Sequence, residues 1–263
     1  QLYLGSVTLN LIPDVTFHYP CCDTLNYLGN ANELGDVNGD GYDDFMLTGG
    51  FGDFGFSKGK VFLYYGGETI DTVPAAEFYE PWIQDGFGGV VVKLDDLNKD
   101  GYDDFSISST YNWDNGKGYV YLFWGGDTIT WNKSITFSSN IVNDFFGESV
   151  TNIGDVNSDG FKDIAIGAPA GLLMDDTSKV YFYYGGSIID TTKDYTLNGG
   201  SIYNIGDINL DNKVEFIFYN GKINIYSGLD SLISFSGYLN SSSYGDLNKD
   251  VYDDFIIGKT FSI

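Results

Sequence analysis

The residues in this chain whose types and spacing could do chemistry are oxygen donors that recur in a short loop. In the first copy, Asp36, Asn38, Asp40 and Asp44 occupy positions 1, 3, 5 and 9, and the carbonyl of Tyr42 lies at position 7. Hard cations such as Ca²⁺ bind carboxylate, amide and carbonyl oxygens at this kind of spacing. The pattern therefore predicts a calcium loop.

The surroundings of this loop differ from those of an EF-hand. An EF-hand needs a bidentate Glu at position 12 and flanking helices, whereas position 12 here is Leu47, inside a short apolar run. Gly41 at position 6 permits the sharp turn that such a loop requires. We therefore expect the loop to connect two strands.

The same loop returns four more times. Its first Asp is at positions 36, 96, 155, 207 and 246, which gives intervals of 60, 59, 52 and 39 residues. Four copies keep an oxygen donor at every ligand position. The candidate metal ligands in these copies are Asp36, Asn38, Asp40, Tyr42, Asp44, Asp96, Asn98, Asp100, Tyr102, Asp104, Asp155, Asn157, Asp159, Phe161, Asp163, Asp246, Asn248, Asp250, Tyr252 and Asp254.

Two copies depart from the pattern. The copy that begins at position 207 has Asn212 at position 6, which tolerates a left-handed backbone, but it has the longer Glu215 at position 9. We expect this copy to hold no calcium. The last copy keeps its ligands but has Val251 at position 6, where a β-branched residue with positive φ would be strained. Its occupancy is left open.

The segments between the loops repeat one order of short strands. A Phe-Gly or similar opening precedes a first strand that ends at the loop, a second strand follows, an aromatic third strand ends in Gly, and a variable outer strand closes the unit. Four strands per tandem unit are typical of a β-propeller blade. We predict an all-β, single-domain propeller of four-stranded antiparallel blades over residues 1–263. Its units lie near 27–85, 86–143, 144–197, 198–236 and 237–263, with 1–26 in addition.

Both ends of the chain offer the same part of the repeat. Residues 1–20 resemble 61–81, a third and a fourth strand, and 259–263 resemble the start of a third strand. Two interpretations stay open: a five-bladed ring, which we favour, or a piece of a six- to seven-bladed protein. The absence of a starting Met or a signal-peptide pattern suggests processing or a fragment. Unpaired strand edges would recruit a second copy or a partner strand unless the ring closes.

The composition agrees with a strand-rich globular domain. The chain has 35 Gly, 21 Tyr and 20 Phe with 43% hydrophobic residues, so we expect almost no helix. The net charge is −24 and all 13 basic residues are Lys, so bidentate Arg contacts to phosphate cannot form, and nucleic acid is not an expected partner. The acidity serves either solubility or cation binding, and the loop spacing favours cations. No apolar run of about 20 residues exists, so membrane insertion is not expected.

Catalytic constellations are missing from the sequence. His18 is the single histidine, and its place in an alternating segment favours an ordinary strand residue over a triad member or a metal ligand. Nearly all Asp residues are explained by the repeated loops, which leaves no separate pair of carboxylates for acid–base chemistry. We therefore predict no catalytic residue, no organic cofactor site and no enzymatic activity.

Several residues permit more than one interpretation. Cys21 and Cys22 are adjacent, so they are free thiols, form a strained vicinal disulfide or pair with another chain. Asn132 and Asn240 match the N-glycosylation pattern. An Asp followed by Thr or Ser recurs and resembles an O-glycosylation site of some bacterial secreted proteins, although we prefer a repeated surface turn. These residues are Asp23, Asp71, Asp127, Asp190 and Asp230.

One unit carries a fuller motif. Its Phe146-Gly147 opening, the loop 155–163 and Gly167-Ala168-Pro169 together resemble the FG-GAP repeat of integrin alpha-subunit propellers and of many bacterial secreted proteins. The resemblance covers nearly the whole chain. It implies a propeller with calcium loops on the edges of the blades.

From this resemblance we expect an extracellular or cell-surface, calcium-stabilised module without enzymatic activity. It would serve adhesion, assembly or surface structure by binding protein or glycan. The alternative is a carbohydrate-binding module or the scaffold of a polysaccharide-degrading enzyme. In that case tryptophans on loops would stack on sugars. The chain has four: Trp82, Trp113, Trp124 and Trp131.

Overall fold

The computed structural model describes residues 1–4, 12–18, 28–49, 59–79, 86–110, 116–130, 135–169, 178–236 and 242–257. Within these ranges the chain forms strands and turns and no helix, which confirms the all-β prediction. It follows that the described part of the chain contains no helix that could cross a membrane.

Four antiparallel sheets of four strands, and one of two strands, follow each other along the described residues. The first contains β1 (Leu28–Gly35), β2 (Asp44–Gly49), β3 (Lys60–Tyr64) and β4 (Ala76–Tyr79). The second contains β5 (Phe87–Asp95), β6 (Asp104–Ser109), β7 (Tyr119–Phe123) and β8 (Ile135–Phe137). The third contains β9 (Ser149–Gly154), β10 (Asp163–Ala168), β11 (Lys179–Tyr183) and β12 (Tyr195–Asn198). The fourth contains β13 (Ser201–Asn204), β14 (Glu215–Tyr219), β15 (Lys222–Ser227) and β16 (Asp230–Ser236), and the two-stranded sheet contains β17 (Ser242–Gly245) and β18 (Asp254–Ile257).

Within each sheet every strand pairs with the next strand in the chain. The second and third strands of the four-stranded sheets are buried almost throughout, because neighbouring sheets, or the N-terminal segment at the first sheet, pack against them. β6 and β10, for example, are buried at every residue. The sequences of these strands are therefore continuous runs of apolar or small residues and do not alternate between apolar and polar residues.

The hydrophobic clusters lie between consecutive sheets. Phe78 of the first sheet shares a cluster with Phe105 of the second, and Leu122 of the second shares one with Phe146 of the third. In the same way, one cluster joins the third and fourth sheets; it includes Val180, Phe182, Phe216 and Phe218. Sheets that pack face to face in chain order are the blades of a β-propeller, here four complete blades and a two-stranded fifth.

The innermost strand of each blade lies towards one common cavity. β1, β5, β9 and β13 contact each other in this order and line a cavity of about 590 Å³. Asparagine side chains join the blades there. Asn152 Nδ2 donates to the Leu94 carbonyl at 3.1 Å, and Asn204 Nδ2 donates to the Asn152 carbonyl at 2.8 Å. These bonds fix the angle at which neighbouring blades meet.

The N-terminal residues form a strand pair of their own against the first blade. Leu2 pairs antiparallel with Val15, and Phe17 packs on Phe45 and Tyr64. The predicted similarity between 1–20 and 61–81 is therefore confirmed for the described residues. The proposed third strand at 259–263 lies outside them.

Candidate functional site

The five loops lie at equivalent places, between the first and second strand of each blade. The first loop, 36–44, begins directly after β1 and ends on the first residue of β2, and the loops 96–104 and 155–163 join β5 to β6 and β9 to β10 in the same way. The loops 207–215 and 246–254 precede β14 and β18. The prediction that each loop connects two strands is confirmed, and all five lie at the same end of their blades.

Position 6 has a left-handed backbone in every loop. Its φ is 88° at Gly41, 94° at Gly101 and 93° at Gly160. The two loops without glycine adopt the same conformation, with φ of 65° at Asn212 and 76° at Val251. Asn tolerates this region, whereas a β-branched side chain is strained in it. The strain expected at Val251 is present.

The Asp at position 1 organises the loop backbone. In the first loop, Asp36 Oδ1 accepts hydrogen bonds from the backbone N–H groups of Gly39 (2.7 Å) and Asp40 (3.0 Å), and Asp36 Oδ2 accepts one from Gly41 (2.8 Å). The first Asp of each other loop accepts bonds from the N–H groups at positions 5 and 6. The carboxylate therefore satisfies amide donors that would otherwise be unpaired in the turn.

The Asp at position 9 ties the loop to the end of the third strand. Asp44 Oδ2 accepts from Val37 N at 2.9 Å, and Asp44 Oδ1 accepts from Gly66 N at 2.8 Å. Asp104 and Asp163 make the same two bonds in their blades. The position 9 carboxylate is thus held between two elements and almost entirely removed from solvent.

The fourth loop differs at this position because its side chain is one carbon longer. Glu215 Oε2 accepts from Ile208 N at 2.9 Å, but Glu215 Oε1 reaches back to Asn209 Nδ2 at 3.2 Å. Asn209 is the residue at position 3. The carboxylate therefore bonds to a predicted ligand of its own loop, and the absence of calcium from this copy stays a prediction.

Burial shifts the titration of the three Asp residues at position 9. It raises the pKa of Asp44 to about 6, of Asp104 to about 7 and of Asp163 to about 6, even though each accepts two backbone hydrogen bonds. The negative charges of other loop carboxylates, such as Asp40 beside Asp44, raise the pKa further. Each loop thus concentrates negative charge around a buried carboxylate, and a divalent cation would offset this charge.

The donor set consists of oxygens alone, which suits a hard cation such as Ca²⁺ and not a soft transition metal. The described residues, however, include no three Asp, Glu, His or Cys side chains that converge tightly enough to form a metal centre. Oxygens that would bind the ion accept hydrogen bonds from the loop backbone. The predicted ligands are therefore brought into one loop in each copy, and their binding of calcium is a proposal.

Position 8, which sequence reasoning missed, connects the second and fifth loops to the preceding blade. Asp103 Oδ2 accepts from Asp36 N at 3.1 Å and pairs with Lys93 Nζ at 3.2 Å. Asp253 Oδ2 accepts from Asp207 N at 3.2 Å. Each of these carboxylates lies against the glycine directly before the preceding loop, Gly35 for Asp103 and Gly206 for Asp253. A Cβ atom at either glycine would clash with the carboxylate.

At the junction between the second and third blades the charges are exchanged: position 8 supplies the cation and the preceding blade supplies the carboxylate. Asp95 stands where the first blade has glycine, and Lys162 Nζ from the next blade pairs with its Oδ2 at 2.8 Å. Burial alone would raise the pKa of Asp95, but its hydrogen bond to Lys162 and the charges of Lys162 and Lys93 hold this pKa below its ordinary value. Alignment of the five loops could have revealed this contact. Where the residue before the preceding loop is Gly35, position 8 is Asp103, and where that residue is Asp95, position 8 is Lys162.

Replacing Asp103 with Ala is expected to lower the free energy of unfolding by about 1–2 kcal/mol, because Asp36 N loses a charged acceptor. Urea unfolding measures this. The matched control is Asp230→Ala, at an exposed position, where we expect a change within about 0.5 kcal/mol. Equal changes in the two variants would mean that Asp103 does not join the blades.

The remaining candidates have varied outcomes. His18 is exposed, and Trp124 packs against the core between the second and third blades, so it does not offer a free platform for a sugar. Asp71 Oδ1 accepts from Val73 N at 2.9 Å and Asp190 Oδ1 from Thr192 N at 2.6 Å, which favours the surface-turn interpretation. Several candidates lie outside the described residues: Cys21, Cys22, Asp23, Trp82, Trp113, Trp131, Asn132 and Asn240.

Comparison with known proteins agrees with this geometry. Residues 146–183, which run from Phe146 through the third loop to the end of β11, match the FG-GAP repeat family. Residues 146–183 are an FG-GAP repeat. Among relatives, human integrin alpha-6 is 39% identical over 122 residues, which are 44% of this chain and 10% of that protein. Rat integrin alpha-7 is 31% identical over 141 residues (52% and 12%), and mouse integrin alpha-3 is 29% identical over 175 residues (65% and 14%).

The chain spans only 10–14% of the length of these integrin relatives. The alignments cover up to about two thirds of the chain, whereas the family match covers a single repeat. The FG-GAP unit is thus identified at the blade with the full motif. The first Asp of every other loop accepts the same two backbone hydrogen bonds, from positions 5 and 6.

Proposed function

We propose that residues 1–263 form one extracellular, calcium-binding β-propeller domain that serves adhesion, assembly or surface structure and is not an enzyme. In this proposal the loops at 36, 96 and 155 each hold one Ca²⁺ through positions 1, 3, 5 and 9 and the carbonyl at position 7. The fourth loop holds none. The binding partner is a protein or a glycan at the cell surface.

One observation carries the proposal: three loops on equivalent blades share the same buried carboxylate and the same set of hydrogen bonds. A structural turn alone needs the first Asp, whose oxygens hold the backbone. The backbone hydrogen bonds made at positions 5 and 9 need an oxygen acceptor but not a negative charge, and carboxylates there repel the first one. The recurrence of all three in each intact loop is explained by a shared cation.

The adhesion role is supported by the similarity to integrin alpha subunits and by the structural role of the acidic residues in the loops. The Asp residues of the repeated loops accept hydrogen bonds from the loop backbone or join neighbouring blades. The described residues that line the central cavity present mixed charges, such as Glu33, Lys93 and Glu148. A binding surface on variable loops over a fixed propeller is the arrangement that we propose.

The test is calcium-dependent binding. Beads coated with the full chain are applied to cells and to a panel of extracellular-matrix proteins and glycans, in millimolar Ca²⁺ or in EGTA. We expect binding in Ca²⁺ that EGTA abolishes, and a triple variant with Ala at Asp40, Asp100 and Asp159 should bind weakly in both. The control is Asp211→Ala, in the fourth loop. No binding to any surface, or turnover of a polysaccharide in the panel, would contradict the proposed function.

A further inference from the structure

We propose that Asp103, Lys93 and Asp95 of the second blade form a charge bridge that couples the loop of the first blade to the loop of the third. Through this bridge, Lys162 of the third blade influences how firmly Asp103 holds the backbone of the first loop. The coupling is independent of bound calcium and goes beyond the proposed function. It makes the loop ends of three consecutive blades respond together.

The centre of the charge bridge is Lys93, whose ammonium group is shared between two carboxylates. Lys93 Nζ lies 3.2 Å from Asp103 Oδ2 and 3.5 Å from Asp95 Oδ1. Asp103 Oδ2 also accepts the hydrogen bond from Asp36 N at 3.1 Å, and Asp95 Oδ2 pairs with Lys162 Nζ at 2.8 Å. The contacts therefore run without interruption from the third blade to the first.

Because the ammonium group is shared, a change at one end of the bridge reaches the other end. With Lys162 in place, Asp95 has a second cation, and Lys93 is available to Asp103. Without Lys162, Asp95 attracts Lys93 more strongly, and Asp103 loses part of the charge that holds it beside the first loop. Two carboxylates that compete for one ammonium group are coupled, whereas two separate ion pairs are not.

The charge bridge is packed against the first blade. A Cβ atom at Gly35 would lie 2.6 Å from Lys93 Nζ. The side chains of Lys93 and Asp103 are 32% and 23% exposed. Burial alone would lower the pKa of Lys93, but its hydrogen bond to Asp103 and the charges of Asp103 and Asp95 hold this pKa above its ordinary value. Ion pairs that are partly buried in this way are screened less than fully exposed pairs.

Asp95 is anchored by a further bond from the third blade. Asn152 Nδ2 donates to Asp95 Oδ2 at 3.0 Å, and Asn152 Oδ1 in turn accepts from Gly154 N at 2.7 Å. The carboxylate that receives Lys162 is therefore held in place, so its side chain loses little further freedom when the ion pair forms.

The backbone at Asp95 is a second, independent indication. Directly before the loop, the second blade has Asp95, whereas the other four copies have Gly35, Gly154, Gly206 and Gly245. Asp95 has a left-handed backbone, with φ of 56°. A residue with a Cβ atom is less stable in this conformation than glycine. The second blade bears this cost, and its carboxylate contacts both lysines of the network.

The junction between the third and fourth blades provides a control within the same molecule. Position 8 there is Val214, and a Cβ atom at Gly154 would lie 3.2 Å from Val214 Cβ. Neither residue carries a charge. We therefore expect substitutions at Val214 and Asp103 to act independently.

Combined substitutions test the coupling. Asp103→Ala and Lys162→Met are made singly and together, in the unaltered full chain and in Lys93→Met, and the variants are unfolded with urea in EGTA at low salt. We expect Lys162→Met to reduce the effect of Asp103→Ala on the unfolding equilibrium constant by about threefold. In Lys93→Met, the effect of Asp103→Ala should no longer depend on Lys162. In about 1 M NaCl the coupling should largely disappear, because the charges are screened.

The control pair is Asp103→Ala with Val214→Ala, whose effects on the equilibrium constant should multiply to within about twofold. Independent effects of Asp103→Ala and Lys162→Met at low salt would overturn the proposal. A coupling that persists in Lys93→Met or at high salt would do the same, since it would be transmitted by another route. All measurements are made in EGTA, so their outcome does not depend on the proposed calcium sites.

Hydrogen exchange decides the question if Asp103→Ala does not fold. The side chain of Lys162 is 42% exposed, so Lys162→Met leaves the core intact. In this variant the amide hydrogen of Asp36, followed by NMR, should exchange about threefold faster than in the unaltered chain, because Asp103 releases it more often. Lys179→Met, on the third strand of the same blade, should leave the rate unchanged. An unchanged rate in Lys162→Met would overturn the proposal.

Discussion

Removal of calcium is expected to lower the melting temperature of this chain by about 10 °C. Sites with dissociation constants near 10⁻⁴ M, at a calcium concentration about tenfold higher, contribute roughly 1.4 kcal/mol each. Three sites give about 4 kcal/mol, and each kcal/mol corresponds to about 2–4 °C in a chain of this size. Calorimetry in Ca²⁺ and after dialysis against EGTA measures the shift. Magnesium should restore little of it, because Mg²⁺ requires a tighter octahedral shell.

A matched pair of variants distinguishes the stability that calcium contributes from the stability that the hydrogen bonds of the turn contribute. Asp100 Oδ1 accepts from Tyr102 N at 3.1 Å, and Asp211 Oδ1 accepts from Lys213 N at 2.9 Å, so both side chains support their loops equally. Asp100→Ala should remove about a third of the calcium-dependent stability, whereas Asp211→Ala should remove none. If the melting temperature does not respond to EGTA after confirmed metal removal, the loops are held by their hydrogen bonds and the acidity serves solubility.

Truncation of Phe78 is expected to lower the free energy of unfolding by about 3–5 kcal/mol, with or without calcium. Phe78 is 2% exposed and its ring packs edge-on against Phe105 (6.1 Å) and Phe123 (4.9 Å) of the next blade. Phe78→Ala therefore leaves a cavity at a blade interface, where each repeat obtains its stability from its neighbours. Urea unfolding of the variant measures this effect.

The control lies on the same strand. Tyr79 is 53% exposed and points away from that interface, so Tyr79→Ala should change the free energy of unfolding by about 0.5 kcal/mol or less. A loss in Tyr79→Ala as large as that in Phe78→Ala would mean that the aromatic residues stabilise single blades and not the contacts between them.

The parts of the fold that the sequence predicted are those that repeat. The loops, the four-strand order and the outer half-blade at the N-terminus could be found because Asp36, Asp96 and Asp155 place equivalent segments in alignment. Residues at positions 1 and 9 were found for the same reason. Their hydrogen bonds to the backbone were not, because an Asp at these positions is compatible both with a turn that its oxygens hold and with a calcium site.

The contacts between blades could not be predicted with the same ease. Position 8 varies between Asp, Lys and Val, and its role depends on the residue before a loop some 60 positions earlier in the chain. Only the packed structure shows that Lys162 reaches Asp95 and that Asp103 reaches Asp36. The exposed Ile233 and Phe235 also could not be foreseen, since β16 has the composition of an ordinary outer strand.

Crystals of the full chain grown in millimolar calcium, with anomalous data collected, would show whether the loops bind the ion. We expect anomalous peaks in the loops at 36, 96 and 155, each about 2.3–2.6 Å from the oxygens of positions 1, 3, 5, 7 and 9. We expect no peak in the loop at 207, where Glu215 bonds to Asn209. Three empty loops at this calcium concentration, with the carboxylates still bonded to the loop backbone, would contradict the account.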